Sequence, residues 1–150
     1  ISAGLWHSAC LSDTGDVYCF GRNDDGQVGE SKCGSIAFVP TLVDFPGING
    51  ERPEDVCITD IATGSRHSLA LTAQGDLYGW GSNCFGQILP KPGSESKIHT
   101  PRRIVLPTNN ARLLRVFAGS WGSAAIVGGE FASRSQVSPP TNQASTPGSD

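Results

Sequence analysis

The sequence predicts an all-β protein that forms part of a β-propeller, and three observations lead to that class. A block of about 60 residues occurs twice, and each copy alternates apolar and polar residues between glycine-rich turns. No stretch repeats apolar residues at the spacing of three and four that marks an amphipathic helix. Blades of four short strands are the architecture that repeats of this length and pattern build.

The repeat sets the boundaries of the predicted blades. Residues 1–29 align without a gap onto 61–89, with 12 identities in 29 positions. A third copy begins at Gly119 and stops after one strand. We therefore expect a partial propeller over residues 1–131, with repeats at about 1–57 and 58–115 and an incomplete one at 116–131. It would contain about two blades plus one strand.

Each element of the second copy follows from its local sequence. Residues 68–72 and 76–80 alternate in polarity around Gly75, which predicts a β-hairpin with a tight turn. Glycines and Asn83 then predict a sharp reversal in which the Gln87 side chain bonds the turn backbone.

Two further strands complete the predicted blade. Residues 101–105 predict an outer strand, because proline is tolerated at sheet edges, and residues 58–64 predict an inner one. Long loops are expected at 30–38, 44–56 and 90–99. A disordered tail rich in Ser, Pro and Thr is expected at 132–150.

Positions that recur between copies are interpreted as structural, since a catalytic group is needed only once. Two of the three histidines occupy the same repeat position, which favours a recurring hydrogen bond between a strand and a neighbouring turn over catalysis or metal binding. Trp80 aligns with Phe20 and is expected in the core. The structural set is Gly4, His7, Gly15, Tyr18, Gly21, Gly26, Gln27, Gly64, His67, Gly75, Tyr78, Trp80, Gly81, Gly86 and Gln87.

Composition excludes several classes of function. A net charge of −3 without a basic stripe argues against direct sequence-specific binding of nucleic acid. No apolar run is long enough to span a membrane. The five cysteines lack metal-ligand spacing, so we expect reduced, packed thiols in an intracellular compartment. No methionine occurs, and we expect the chain to be a piece of a longer protein.

The repeat resembles that of the regulator-of-chromosome-condensation family. Both copies carry nearly all of Gly-x-x-His-Ser-x-x-Leu, Gly-Asp-x-Tyr-x-aromatic-Gly-x-Asn-x-x-Gly-Gln and Pro-x-x-Val. The resemblance covers about 1–127 and implies a seven-bladed propeller. The sequence is most similar to the C-terminal half of a small chromosome-associated member that partners a JmjC-domain oxygenase.

Two positions depart from the family pattern. Leu89 stands where the first copy has Gly29, and Gly122 replaces the repeat histidine. We expect the first change to loosen one turn and the second to mark an atypical terminal blade.

Candidate binding residues lie where the copies differ. Trp6, Arg66 and Trp121 share one repeat position and are candidate protein-binding residues, since Trp and Arg are frequent interface anchors. Asp24 and Asp25 are further candidates; Cys and Phe replace them in copy two, which argues against a calcium loop, and we expect exposed turn residues. No catalytic, metal or cofactor motif is recognised.

The predicted function is a non-enzymatic scaffold for a protein partner, either a JmjC-domain oxygenase or a chromatin protein. The expected location is the nucleus or chromosomes, with the cytoplasm as the alternative. A second hypothesis, implied by the family's founding member, is guanine-nucleotide exchange on a small GTPase of the Ran type. A third is an interaction module within a larger ubiquitin ligase.

Overall fold

Strands build all the regular structure of the part of the chain that is described. A computed structural model describes residues 1–46, 56–89, 95–107 and 111–130. The ten strands are β1 (Ser2–Ala3), β2 (His7–Leu11), β3 (Val17–Arg22), β4 (Ile36–Leu42), β5 (Ile58–Thr63), β6 (His67–Thr72), β7 (Leu77–Ser82), β8 (Lys97–Ile104), β9 (Ala111–Ala118) and β10 (Ser123–Glu130). Within these ranges no helix is long and apolar enough to cross a membrane.

The strands form three antiparallel sheets whose order follows the chain. Blade 1 is β1-β2-β3-β4, blade 2 is β5-β6-β7-β8, and blade 3 consists of β9 and β10. Each strand pairs with its sequence neighbour, as in a propeller blade. The predicted all-β fold and partial propeller are confirmed.

Glycines make the reversals inside each blade. Gly75 has φ +92°, and its N–H donates to the Thr72 carbonyl at 3.0 Å, which closes the predicted hairpin between β6 and β7. Gly15 has φ +89° at the same place in blade 1. Glycine adopts this left-handed region without the steric cost that a side chain adds.

The outer strands begin earlier than the sequence predicts. β4 starts at Ile36, paired with Arg22, and β8 starts at Lys97, paired with Ser82. The ends of the loops expected at 30–38 and 90–99 are therefore strand, because ladder pairing outweighs the polar composition of these segments.

The outer strand of blade 2, β8, contains a proline. Pro101 lies in β8 where the pairing with β7 shifts register between Gly79 and Gly81, so its missing N–H falls at an irregularity of the ladder.

The expected tail at 132–150, and most of the loop at 44–56, lie outside the described residues.

The main core lies between blades 1 and 2. Trp80 of β7 is almost fully buried, and its ring meets Phe45 edge-on at 5.7 Å between centroids. The Tyr78 ring also meets Phe45 edge-on, at 5.4 Å between centroids. Edge-to-face packing adds to the burial of these large surfaces, so one blade is stabilised by its neighbour.

The cysteines are free but not all packed. Cys19 is buried, and burial raises the pKa of its thiol to about 12. Cys57 and Cys84 are exposed, so the prediction of packed thiols is wrong for these two. Cys84 lies in a turn and Cys57 lies directly before β5, where apolar neighbours in the sequence do not guarantee burial.

Candidate functional site

A short turn that joins the two inner strands of each blade presents the candidate residues. The turns are Gly4–His7, Gly64–His67 and Gly119–Gly122, each closed by a bond from the first N–H to the last carbonyl at 2.9, 2.8 and 2.8 Å. Trp6, Arg66 and Trp121 occupy the third position of these turns. Trp6 is 48% exposed, Trp121 is 61% exposed, and the Arg66 side chain is 43% exposed.

The turns approach one another closely, which explains the glycine at their first position. A Cβ at Gly64 would lie 2.5 Å from the Gly119 carbonyl oxygen, and a Cβ at Gly4 would overlap the Gly64 carbonyl oxygen. Residues 3–5, 63–65 and 118–120 line a cleft of about 390 Å³ between the turns. Neighbouring inner turns therefore lie too close together for a side chain at Gly4 or Gly64.

A second turn follows the third strand of each blade, at residues 23–27 and 83–87, and we call it the aspartate-type turn because in blade 1 it carries Asp24 and Asp25. Its backbone is held from within: the Asn23 Oδ1 accepts from the Val28 N–H at 3.0 Å, and the Gln27 Oε1 accepts from the Asp25 N–H at 3.0 Å. The same bonds recur at Asn83 and Gln87. The predicted role of the glutamine is thus observed in both copies.

Leu89 does not leave its backbone amide without a partner. Its N–H donates to the Asn83 Oδ1 at 2.9 Å, whereas the Gly29 N–H donates to the Gly26 carbonyl at 3.0 Å. The substitution changes the acceptor that holds this end of the turn, so the expected loosening is not seen at this amide.

Asp25 is buried rather than exposed, which corrects the sequence prediction. Only 6% of the residue is exposed, and its carboxylate lies 3.3 Å from the Arg66 Nη1 and 3.2 Å from the Lys97 Nζ. Both cations belong to blade 2, whose inner turn and outer strand cover the blade 1 turn. The contact between blades, which the local sequence does not contain, buries the acid.

Asp24 links the same cluster to Trp6. Its carboxylate pairs with the Arg22 Nε, and that hydrogen bond, with a further one from Ser35, holds the pKa of Asp24 below its usual range. The Arg22 guanidinium lies over the Trp6 ring, 5.6 Å from its centroid. Four of the five predicted binding residues thus join one network, to which Arg22 and Lys97 also belong.

Trp121, the fifth predicted residue, lies in a separate pair. Its ring meets Phe85 edge-on at 5.2 Å, and Phe85 is 70% exposed. Sequence reasoning missed Phe85, Arg22 and Lys97 as members of the surface. The repeat offset held a signal for Phe85, since it aligns with Asp25 just as Trp121 aligns with Arg66.

The repeat histidines form hydrogen bonds from one blade to the next. The His7 Nε2 lies 2.7 Å from the Ser68 Oγ, which donates to the Gln27 carbonyl at 2.9 Å. Because the serine donates to the carbonyl, the neutral imidazole must donate from Nε2. His67 repeats the arrangement with the Ser123 Oγ at 3.0 Å, and this serine donates to the Gln87 carbonyl at 2.6 Å.

Burial keeps both histidines neutral. It lowers the pKa of His7 to about 4, with a smaller contribution from His67, and it lowers the pKa of His67 to about 4. Within the described ranges no three His, Cys, Asp or Glu side chains come close enough together to hold a metal ion. The histidines therefore act as neutral hydrogen-bond donors between blades.

Several curated proteins have sequences similar to this chain, and two of those named here are RCC1 domain-containing proteins. RCC1 domain-containing protein RUG3, mitochondrial, from Arabidopsis thaliana is 38% identical over 69% of this chain and 21% of its own length. A Dictyostelium discoideum bifunctional serine/threonine-protein kinase/NEDD4-like E3 ubiquitin-protein ligase is 31% identical over 79% of this chain and 6% of its own. Human RCC1 domain-containing protein 1 is 26% identical over 82% of this chain and 40% of its own.

Solved structures resemble the described fold. Human WBSCR16 superposes with a TM-score of 0.70 at 28% identity, over 84% of this chain and 29% of that one. Saccharomyces cerevisiae Prp20p, whose structure was described with its binding properties to Gsp1p and histones, gives a TM-score of 0.61 at 26% identity, over 84% and 30%. The chain thus spans less than half the length of each of these relatives.

The family match covers most of the repeats derived above. Residues 1–27 and 58–87 match one form of the Regulator of chromosome condensation (RCC1) repeat, and residues 74–126 match a second form. These ranges include both aspartate-type turns, the repeat histidines and all three inner turns. The chain belongs to the RCC1 repeat family.

Proposed function

We propose that this chain is part of a non-enzymatic scaffold that binds a protein partner through the surface formed by its inner turns. The observation that carries the proposal is the row of half-exposed Trp6, Arg66 and Trp121 at one repeat position. Tryptophan and arginine dominate the binding energy of many protein interfaces. Here each is placed by a rigid turn, which lowers the entropy lost when a partner binds.

The pairs around these residues support that use. Trp6 is stacked under Arg22, and Trp121 is braced by Phe85, so neither indole has to be ordered on binding. Such preorganised aromatic side chains, flanked by charges that can steer a partner, are typical of interface centres.

The partner we propose is a JmjC-domain oxygenase or a chromatin protein, with the protein in the nucleus or on chromosomes. The resemblance of the repeat to a small chromosome-associated family member supports the oxygenase, and the binding properties to histones described for Prp20p support a chromatin protein. Because the chain spans only part of these relatives, the proposal concerns the whole protein that contains it.

A binding experiment with the complete protein tests the proposal. Trp6→Ala combined with Trp121→Ala should weaken capture of the JmjC-domain oxygenase or of nucleosomes at least tenfold. Val105→Ala is the control, since Val105 is an exposed apolar residue directly after the outer strand β8 and should leave binding unchanged. Equal binding by wild type and the double variant would contradict the proposal.

Guanine-nucleotide exchange on a Ran-type small GTPase is the alternative function. The binding of Gsp1p described for Prp20p favours it as the second candidate. Release of a fluorescent guanine nucleotide from the GTPase should accelerate with added complete protein if this alternative holds. An unchanged release rate would exclude nucleotide exchange. Capture of the JmjC-domain or chromatin partner in the same preparation would then support the scaffold function.

A further inference from the structure

Thr100 is an exposed threonine that stands directly before Pro101 in the outer strand β8. Among the described residues no other serine or threonine precedes a proline. Within the same residues the Thr100 hydroxyl has no hydrogen-bond partner. The binding surface proposed above does not use this hydroxyl, so its position raises a separate question of function.

The backbone presents Thr100 in an extended form at the outside of the blade. The ladder shifts register so that residues 99–101 of β8 lie opposite the single residue Trp80 of β7. A proline restricts the residue before it to extended conformations. In the described sheet β8 is the last strand, so only one of its sides is paired. Thr100 is therefore extended and exposed at a point where the ladder is irregular.

The charges near Thr100 suit a phosphate group. β8 has the sequence KIHTPRRI, which contains three cationic residues and no acidic one. Arg102 lies on the same side of the strand as Thr100, since both are exposed and the buried Pro101 stands between them. The Arg102 Nη2 pairs with the Glu95 carboxylate at 2.8 Å, and these side chains are 46% and 62% exposed. An ion pair as exposed as this one contributes little, so a phosphate dianion can replace the carboxylate.

Blade 1 shows that the fold does not require the hydroxyl or the arginines. Val39 and Pro40 occupy the places of Thr100 and its proline, and the ladder between β3 and β4 has the same register shift. Val39 is 67% exposed. Thr41 and Leu42 stand where β8 has its two arginines. The acceptor hydroxyl and its basic neighbours are thus a feature of blade 2 alone within the described repeats.

We propose that Thr100 is phosphorylated by a proline-directed protein kinase that uses ATP. The Thr100 Oγ1 attacks the γ-phosphorus, the bond from this phosphorus to the bridging oxygen of ADP breaks, and the hydroxyl proton passes to the catalytic aspartate of the kinase. A kinase that offers no acceptor for the next backbone N–H selects proline there, because proline has none. The Arg102 guanidinium then binds the phosphate in place of Glu95.

Phosphorylation of the complete, folded protein tests the acceptor. After incubation with a cyclin-dependent kinase and ATP, mass spectrometry should find phosphate on Thr100. Thr100→Val introduces the residue that blade 1 has, and it should remove this phosphopeptide without changing the melting temperature. Ser138 and Thr146 also precede prolines and serve as internal references. Phosphate on these two residues but not on Thr100, or on Thr100 only after denaturation, would overturn the proposal.

Phosphorus NMR of the phosphorylated protein tests the role of Arg102. The second pKa of phosphothreonine is about 6, and a neighbouring guanidinium should lower it. In Arg102→Gln this pKa should rise by about 0.5 relative to the wild type. Arg115→Gln is the matched control, because Arg115 is an exposed arginine of β9 paired with Asp60, and the titration should not change. Equal titration of the wild type and Arg102→Gln would exclude this arginine as the partner of the phosphate.

Discussion

Asp25 shows how a single residue can join two blades. Its carboxylate is removed from water but lies between the Arg66 and Lys97 cations of blade 2. A buried charge is tolerated only when it is paired, and removal of one member leaves the others uncompensated. The neighbouring Asp24 is more exposed and pairs with Arg22 of its own blade, so only Asp25 forms ion pairs with two side chains of the next blade.

Asp25→Asn should lower the free energy of unfolding by about 1–2 kcal/mol, because Arg66 and Lys97 then repel each other without their shared carboxylate. Asp24→Asn is the matched control and should have the smaller effect. Urea unfolding followed by circular dichroism measures both. Equal stability of the two variants would show that Asp25 does not stabilise the contact between blades 1 and 2.

The two repeat histidines should make stability depend on pH. Their pKa values are about 4 in the folded chain, against about 6.5 when unfolded. As pH falls below 6.5, the unfolded chain takes up protons first, so stability present above that pH is lost progressively down to about 4. Each histidine contributes up to about 3 kcal/mol to this loss.

Urea midpoints at pH 7.5 and pH 4.5 measure this dependence. The midpoint should fall at the lower pH in the wild type, and the His7→Gln, His67→Gln double variant should lose much of that fall. An equal fall in both proteins would assign the acid sensitivity to other groups.

At the scale of elements, the inner turn and its neighbouring strand depend on a glycine. Gly81 pairs with His67 at the end of the ladder between β6 and β7, and its φ is +101°. A Cβ at this position would lie 2.5 Å from the Arg66 carbonyl oxygen. This position therefore sets how closely β7 can approach the turn that carries Arg66.

Gly81→Ala should lower the free energy of unfolding by about 2 kcal/mol or more, since it combines an unfavourable φ with a backbone overlap. Gly34→Ala is the control, because nothing lies within 4 Å of a Cβ at that position. Differential scanning calorimetry of the complete protein compares the two variants, and similar melting temperatures would contradict the expectation.

The same elements show how far the sequence can predict this structure. Hairpins, turn glycines and the Asn and Gln bonds follow from local chemistry repeated in two copies. Asp25 does not, because the residues that bury it lie 41 or more positions away in another blade. The serine partners of the histidines are likewise set by the stacking of blades, which local periodicity does not encode.

At the scale of the whole molecule, the described chain ends in two apolar flanks. Phe38 and Val39 are exposed on β4, and Ile126 and Val127 are half-exposed on β10. Repeat arrays bury such surfaces by stacking on the next unit, and an uncovered sheet edge promotes association.

The isolated 150-residue chain should therefore be marginally stable or self-associate. Light scattering should show particles that grow with concentration, and thermal unfolding should be broad or irreversible. A monomer with a sharp, reversible transition would show that two blades and a hairpin are stable alone.

At one repeat position, the two aspartate-type turns contact the next blade through different kinds of side chain, charged in one case and aromatic in the other. Asp25 meets Arg66 across the first boundary, whereas Phe85 meets Trp121 across the second. Each pair straddles two repeats, so substitutions there must be compensated on the adjoining copy. A blade moved to another place in the array would set an acid against an indole, or a guanidinium against a phenyl ring. The pair of residues that face each other across two blades, and not the single repeat, is therefore the unit in which the sequence of this surface can diverge.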